Sequence, residues 1–411
     1  MLPKIKIADY SYPLPDERIA KFPLAKRDSS KLLIYKDGDI SEDVFSNLGQ
    51  HISEGSLLVF NNTRVIRARL KFKRATGAEI EILCLEPYEP TDYTLSLGAK
   101  NGCTWRCIVG NLKRWKEVEL SLSFIYNDKS YTLSAKKLAA HEGSVVVSFS
   151  WSCPDLSFVE VLEFCGAIPI PPYLNREPQD SDNEQYQTLY SKYNGSVAAP
   201  TAGLHFTPDV ITSLSAKNIQ TDEVTLHIGA GTFKPVRTET VGAHEMHAEH
   251  FSISLQTLKN IRNHLGKVVA VGTTTVRTLE SVYYIGIKLL TTNLPDTHIG
   301  QWEPYAMEIL SQKYPALLVF DTLINYLENN NLKEILAATQ IMIAPPCRLK
   351  VINGIVTNFH QPRSTLLLLV SAVVGNKWKD IYDYALRNDF RFLSYGDSSL
   401  IMVPPADKQQ S

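Results

Sequence analysis

The sequence predicts a mixed α/β protein whose chain is interrupted by a small all-β insertion. Three observations predict it. Outside residues 70–152, apolar strands alternate with helix patterns, which points to an α/β domain. Within 70–152, short runs alternate with period two and no good helix pattern appears. Between residues 197 and 281, small residues repeatedly join His, Thr, Arg or Glu around apolar runs, and six of the ten histidines lie there. The expected units are a discontinuous α/β unit, 1–69 with 153–411, and an insertion, 70–152.

In chain order, Leu32-Leu33-Ile34-Tyr35 reads as a strand ended by the turn dipeptide Asp37-Gly38. Residues 57–60 form another and run into Asn61-Asn62-Thr63-Arg64-Val65-Ile66. Those polar groups either present chemistry at a strand end or form a solvated loop. In the insertion, 78–83, 118–122 and 144–149 are expected strands, with Asn127-Asp128 as a hairpin turn. Ser157 caps a helix, with Glu160 at the capping-box position and Gly166 as stop. Ile168-Pro169-Ile170-Pro171-Pro172 must be extended, because proline restricts the residue before it. Asp182 is expected to cap a helix through Tyr190. Thr207-Pro208 starts a helix to about Lys217. Another spans 254–265. Residues 268–271 form a buried strand feeding Gly272 and a helix from about Thr274. Asn353-Gly354 is expected to join two strands as a hairpin, and 364–374 is an apolar helix. Residues 283–340 give weaker signals.

Composition narrows the classes. The 411 residues suit two to three domains at about 150 each. With 42 basic and 43 acidic residues the net charge is −1, which argues against non-specific coating of nucleic acid but allows a local basic patch. The apolar run 366–370 is far short of the ~20 residues that span a bilayer. No signal-peptide core follows Met1. Six scattered cysteines fit reduced thiols, so a cytoplasmic protein without membrane contact is expected.

Several motifs carry chemistry. Gly229-Ala230-Gly231 is not a dinucleotide fingerprint, because Lys234 takes the third glycine position. No P-loop and no G-x-S-x-G occurs. His244-x-x-His247-x-Glu249 has metal-ligand types, yet serves equally as a metal-free acid/base cluster or as structural histidines. Val271-Gly272-Thr273-Thr274-Thr275-Val276-Arg277 reads as strand, glycine and helix start, whose free amides bind a carboxylate or phosphate or are simply capped. The insertion interleaves Lys71, Lys73, Arg74, Lys100, Lys113, Arg114 and Lys116 with Trp105 and Trp115. That pattern suits nucleic acid or ordinary solvated strands.

Taken together, these runs resemble the S-adenosylmethionine:tRNA ribosyltransferase-isomerase family of queuosine biosynthesis. The resemblance rests on Phe60-Asn61-Asn62-Thr63-Arg64-Val65-Ile66, Pro171-Pro172-Tyr173, Ala198-Ala199-Pro200-Thr201-Ala202-Gly203-Leu204-His205-Phe206 and Leu226-His227-Ile228-Gly229-Ala230-Gly231-Thr232-Phe233. It continues through His244-Glu245-Met246-His247-Ala248-Glu249, Gly272-Thr273-Thr274-Thr275-Val276-Arg277, Thr357-Asn358-Phe359-His360 and Arg391-Phe392-Leu393-Ser394-Tyr395-Gly396-Asp397, in family order. Gln361, Pro346-Cys347 and a longer 283–340 segment depart from the family pattern. The resemblance implies an α/β barrel-like catalytic domain with an inserted β-barrel. It implies transfer and isomerisation of the ribosyl group of S-adenosylmethionine onto 7-aminomethyl-7-deazaguanine at the wobble position of tRNA with a GUN anticodon. The products are epoxyqueuosine-tRNA, adenine and methionine. No metal and no cofactor are expected, since S-adenosylmethionine is itself consumed, and the protein is expected to be a monomer or weak oligomer.

The expected site follows. His247 moves a proton and Glu249 orients it, because residues two apart in an extended chain point the same way. His205 or His227 lies near the adenine. Arg277 with the amides of Thr273, Thr274 and Thr275 receives the donor's carboxylate. Arg64, Thr201, His244, Asn358, His360 and Asp397 complete the substrate-binding set. Two rival classes stand beside this one: a metal-dependent hydrolase built on His244, His247 and Glu249, and a non-catalytic RNA-binding protein built on the insertion.

Overall fold

Gln220–Leu226, Leu57–Asn61, Val268–Val271 and Gly354–Asn358 lie side by side as four parallel strands. Val224 pairs with Asn61, Ala270 with Val59 and Val271 with Val356, so the four carboxyl ends finish nearly level. Further strands, in both antiparallel and parallel pairs, widen the sheet on both sides. Beyond Gln220–Leu226 come Glu249–Ser254, Glu334–Thr339 and the short His298–Ile299. Beyond Gly354–Asn358 come Ser398–Met402, Lys31–Lys36 and its hairpin partner Asp39–Val44. The computed structural model that shows this mixed ten-stranded sheet describes residues 4–74, 76–141, 143–229, 236, 238–292 and 296–403.

Alternation along the strands builds the two cores. Leu57, Val59, Val268, Ala270 and Ile355 face one layer, and Leu58, Phe60, Val269, Val271 and Val356 face the other. Helices Thr273–Thr292, Ala316–Asn329, Thr365–Val374 and Trp378–Arg387 supply the first layer. Pro208–Ala216 contributes Val210 and Leu214 to the second. Capping explains where several of these begin: Thr207 accepts from Val210 N–H, Ser254 from Thr257 N–H and Ser364 from Leu367 N–H.

A second sheet, fully antiparallel, orders Gly166–Ala167, Arg69–Lys73, Glu79–Glu89, Gly102–Gly110, Ser144–Trp151, Lys129–His141 and Glu119–Tyr126. It curls, and a 2.7 Å ion pair from Arg74 to Glu117 draws its two ends together. Asn127 and Asp128, both at positive φ, make the hairpin turn. The sheet encloses its own apolar core, which takes in Trp105 and Trp115. Those tryptophans therefore face inward and leave the basic strands without the aromatic platform that their spacing suggested. The ammonium of Lys137 sits 5.1 Å over the Trp115 ring. One short helix, Tyr93–Leu97, interrupts the strands.

Three expectations are corrected. Asn61, Asn62 and Thr63 are buried, so the run after Leu57–Asn61 is not a solvated loop. Asp182 does not cap a helix to Tyr190. Arg176 donates to both its oxygens at 2.7 Å, and the helix Asp182–Gln185 stops after one turn. Asn353-Gly354 makes no hairpin. Asn353 instead bonds Val268 through its backbone and side chain, starting a strand between two distant partners. The 283–340 region resolves into the end of the long helix, Ala316–Asn329 and Glu334–Thr339. All six cysteines are free thiols. Among the described residues no helix is long and apolar enough to cross a membrane. Ala230, Gly231, Thr232, Phe233 and Lys234 lie outside the described residues.

Candidate functional site

In an α/β sheet, ligands bind beyond the carboxyl ends of the strands. Here each of the four parallel strands ends in one of the polar runs: Asn61-Asn62-Thr63, His227-Ile228-Gly229, Gly272-Thr273-Thr274 and Phe359-His360. Asn61 fixes one corner. Its Oδ1 accepts from Leu226 N–H at 3.0 Å and its Nδ2 donates to Leu226 O at 3.0 Å, extending the ladder past the strand. Ser196 Oγ accepts from Ile228 N–H at 2.8 Å and shares a 2.7 Å hydrogen bond with Thr63. The turn carrying His227 is thereby held from two sides.

Of the cavities at this edge, two gather the motif residues. The smaller, about 80 Å³, is lined by Thr201, Thr273, Thr274, Asn358 and His360, with Tyr173, Tyr186, Gln361 and Ser394. Behind its wall runs a hydrogen-bond chain. Thr201 Oγ1 donates to Asn358 Oδ1 at 3.3 Å, and Asn358 Nδ2 donates to His205 Nε2 at 3.2 Å. His205 Nδ1 therefore carries the proton and donates to Ser30 Oγ at 2.9 Å. Burial pushes His205 down to about 4 and His360 down to about 3, so both imidazoles are neutral.

The larger cavity, about 330 Å³, lies between the two sheets and brings together His227, His244, His247, Glu249 and Arg277. The insertion adds Glu86, Tyr93 and Arg106 to its wall. Arg277 and Glu249, both buried, form an ion pair, and Arg277 Nε donates to Ile341 O at 3.2 Å. Arg277 Nη2 has no partner among the described residues. Glu249 is thus engaged by Arg277, and among the described residues it makes no hydrogen bond to His247. The same pairing leaves it poorly suited as a metal ligand, and no three His, Cys, Asp or Glu groups gather as one among the described residues. Gln301 accepts from Met246 N–H at 2.9 Å and donates to His244 O at 2.6 Å, while Gln340 donates to Met246 O at 2.8 Å. These two glutamines hold the extended His244-to-Ala248 segment.

His227 is one of the contacts between the inserted unit and the ten-stranded sheet. Tyr93 stacks on it with centroids 4.2 Å apart and planes 15° apart. On the backbone side, a Cβ at Gly195 would lie 2.4 Å from His227 Nδ1, so only glycine fits. Burial and the neighbouring His250 push His227 down to about 4.

Not every expected residue reaches a cavity. His205 is behind the wall. Thr275 is buried and turns its hydroxyl back to Val271 O at 2.7 Å. Asp397 is buried, accepting from Arg391 N–H at 2.7 Å and Lys31 N–H at 3.1 Å. Arg64 is exposed on Thr63–Val65. Tyr93, Tyr186, Gln301 and Gln340 escaped the sequence argument. Their only signal is three-dimensional, since each lies far along the chain from the motif it serves.

The profile of the family described as "Queuosine biosynthesis protein" matches residues 7–401. The S-adenosylmethionine:tRNA ribosyltransferase-isomerase of Natranaerobius thermophilus is 36% identical over 408 residues, 97% of this chain and 99% of that protein. The crystal structure of an S-adenosylmethionine tRNA ribosyltransferase from Thermotoga maritima is 28% identical, with a TM-score of 0.45, covering 96% of this chain and 100% of that one.

Three desolvated histidines, one buried and two half-buried, set a pH dependence. His205, His227 and His360 have folded pKa values of about 4, 4 and 3 against an ordinary 6.5. Between those limits the unfolded chain binds more protons, so their contribution is complete above about pH 6.5 and is lost as pH falls toward 4. Glu280, pushed up to about 7 by burial, acts in the opposite sense with a single proton. Urea midpoints are expected to drop from pH 7 to pH 5, and to drop less in Glu280-intact protein carrying His360→Gln.

Proposed function

The chain belongs to the queuosine biosynthesis protein family, and we infer from that membership that it is an S-adenosylmethionine:tRNA ribosyltransferase-isomerase. It transfers and isomerises the ribosyl group of S-adenosylmethionine onto 7-aminomethyl-7-deazaguanine at the tRNA wobble position, giving epoxyqueuosine-tRNA, adenine and methionine. The observation that carries this is the delivery of four family runs, from four distant parts of the chain, to one edge of one sheet.

The chemistry asks for proton transfers. A sulfonium acidifies the adjacent ribose C5′ hydrogens, so a base must remove one, and adenine leaves well only when protonated. His247 is exposed at the larger cavity and takes the proton-transfer role. Neutral His227, stacked and half-buried, faces the adenine as a hydrogen-bonding group. Glu249 acts through Arg277, and the pair fixes the cavity floor beside His244. Thr201, Thr273, Thr274, Asn358 and His360 bind substrate at the smaller cavity. His205, Thr275 and Asp397 position those groups from behind. None of these steps calls for a resident metal or cofactor.

Lys113, Arg114 and Lys116 are exposed and make no ion pair among the described residues, so the insertion offers them to RNA phosphates, with Arg64 as a further contact. A GUN anticodon, a cytoplasmic setting and a monomer or weak oligomer complete the proposal. So does the view that the ten-stranded sheet and its helices are barrel-like and that the curled insertion, 70–152, is a β-barrel domain.

Adenine is expected only when S-adenosylmethionine and tRNA bearing the aminomethyl-deazaguanine are both present, at a rate a strong chelator leaves unchanged; equal release with unmodified tRNA would sink the transfer reading. His247→Gln should slow single-turnover chemistry by roughly 10²–10⁴ with substrate affinity preserved. A full rate in that variant removes His247 from proton transfer. Replacing Lys113, Arg114 and Lys116 with Ala should lower the slope of log affinity against log salt by up to about 3, since each lost phosphate contact removes about 0.9.

A further inference from the structure

The smaller cavity, at the start of helix Thr273–Thr292, has the donors of an oxyanion site, and we propose that it holds the carboxylate or phosphate oxygens of one substrate. The proposal rests on the activity inferred above for the identity of those substrates, and it adds Tyr186 and the Thr274 hydroxyl as their ligands.

The helix start is open. The first helical hydrogen bond runs from Val276 N–H to Gly272 O at 3.2 Å, leaving the amides of Thr273, Thr274 and Thr275 without backbone partners. Gly272, at φ +89°, has no side chain with which to cap them. The first turn holds no acidic residue. Twenty residues of aligned peptide dipoles end here at their positive pole.

An independent observation points the same way. Thr274 Oγ1 and Tyr186 Oη, on two cavity-lining residues, are buried and have no hydrogen-bond partner among the described residues. Tyr186 is 0% exposed. Ser394 Oγ and the Ala199 N–H lie near its hydroxyl, but neither makes a hydrogen bond of normal geometry with it. Buried unpartnered hydroxyls destabilise a protein, so two of them beside three free amides are explained by a ligand that accepts from them.

The cavity also suits an anion in size and charge. Among the described residues no Asp, Glu, Lys or Arg lines it. Its volume of about 80 Å³ is several times the roughly 10–15 Å³ that one water needs by the same measure, enough for a carboxylate or phosphate group. Leu366 lines both cavities, so one substrate can place its anion here and its reacting atoms in the larger one. Arg277 faces the larger cavity with its charge met by Glu249. The anion is therefore held by neutral donors and a helix pole.

The test is equilibrium binding without turnover. S-adenosylmethionine, its decarboxylated analogue and unmodified tRNA are titrated into the wild-type protein, Tyr186→Phe, Thr274→Val and Thr274→Ser. If the anion is the donor's carboxylate, Phe and Val should weaken S-adenosylmethionine roughly 10- to 100-fold. They should erase its advantage over the decarboxylated analogue and leave tRNA unchanged, while Ser retains affinity. If it is an RNA phosphate, tRNA alone weakens. Unchanged affinities overturn the proposal, as does equal weakening of S-adenosylmethionine and its analogue. Failure of the wild-type protein to bind either substrate overturns the inferred activity along with the subsite. Tyr186→Phe should also raise the melting temperature of the free protein, because it deletes an unpartnered hydroxyl; a fall would mean that the hydroxyl serves the fold.

Discussion

The structure depends on one constraint: four parallel strands ending nearly level. Neighbouring strands lie about 4.8 Å apart, so four side-by-side carboxyl ends span only about 15 Å. Residues 61, 226, 271 and 358, separated by up to 297 positions, are thereby placed within reach of one small molecule. Parallel strands must also be buried on both faces, which explains why 57–60 and 268–271 are unbroken apolar runs rather than alternating ones. The polar residues that follow begin where the apolar layers stop. Asn61 shows the transition: its side chain imitates a further rung of the ladder and frees the next residues to turn outward.

Charge inside the site is arranged in pairs and neutral rings rather than as free ions. Glu249 and Arg277 neutralise each other in a buried setting where either alone would be costly. Three histidines are held uncharged by burial. The extended segment carrying His244 and His247 has little structure of its own, and Gln301 and Gln340 hydrogen-bond its backbone in place of a neighbouring strand. A flexible-looking motif is thus given a defined path by residues from the stretch whose sequence pattern was weakest.

Much of this was legible because it is local. Ser157, Thr207, Ser254 and Ser364 cap helices through bonds made three residues away, and Asn127-Asp128 turns a hairpin within four residues. What was not legible is pairwise and distant. Asp182 looks like a cap until Arg176 is seen to fork onto it. Asn353-Gly354 looks like a hairpin until Val268 claims the asparagine. Trp105 and Trp115 sit among basic residues in sequence, yet both rings pack into the sheet's core, Trp105 by strand alternation and Trp115 from the turn after Leu112–Arg114. Glu249 was assigned to the histidine two residues away, whereas its carboxylate is met by an arginine 28 residues on. The chemistry-bearing residue types were visible throughout; their partners were not.

The stack of Tyr93 on His227 has a consequence for modularity. Inserted domains are commonly removable, since they join their host at two points and fold on their own core. Here the inserted sheet's core also takes in Phe158, Val161, Leu162 and Val197 from the chain beyond it, and Tyr93 lends a ring that covers one face of the His227 imidazole. Excising residues 70–152 would open that face to water and return His227 toward its ordinary basicity. The same contact makes the second sheet a wall of the larger cavity, so two sheets with separate apolar cores share one pair of rings.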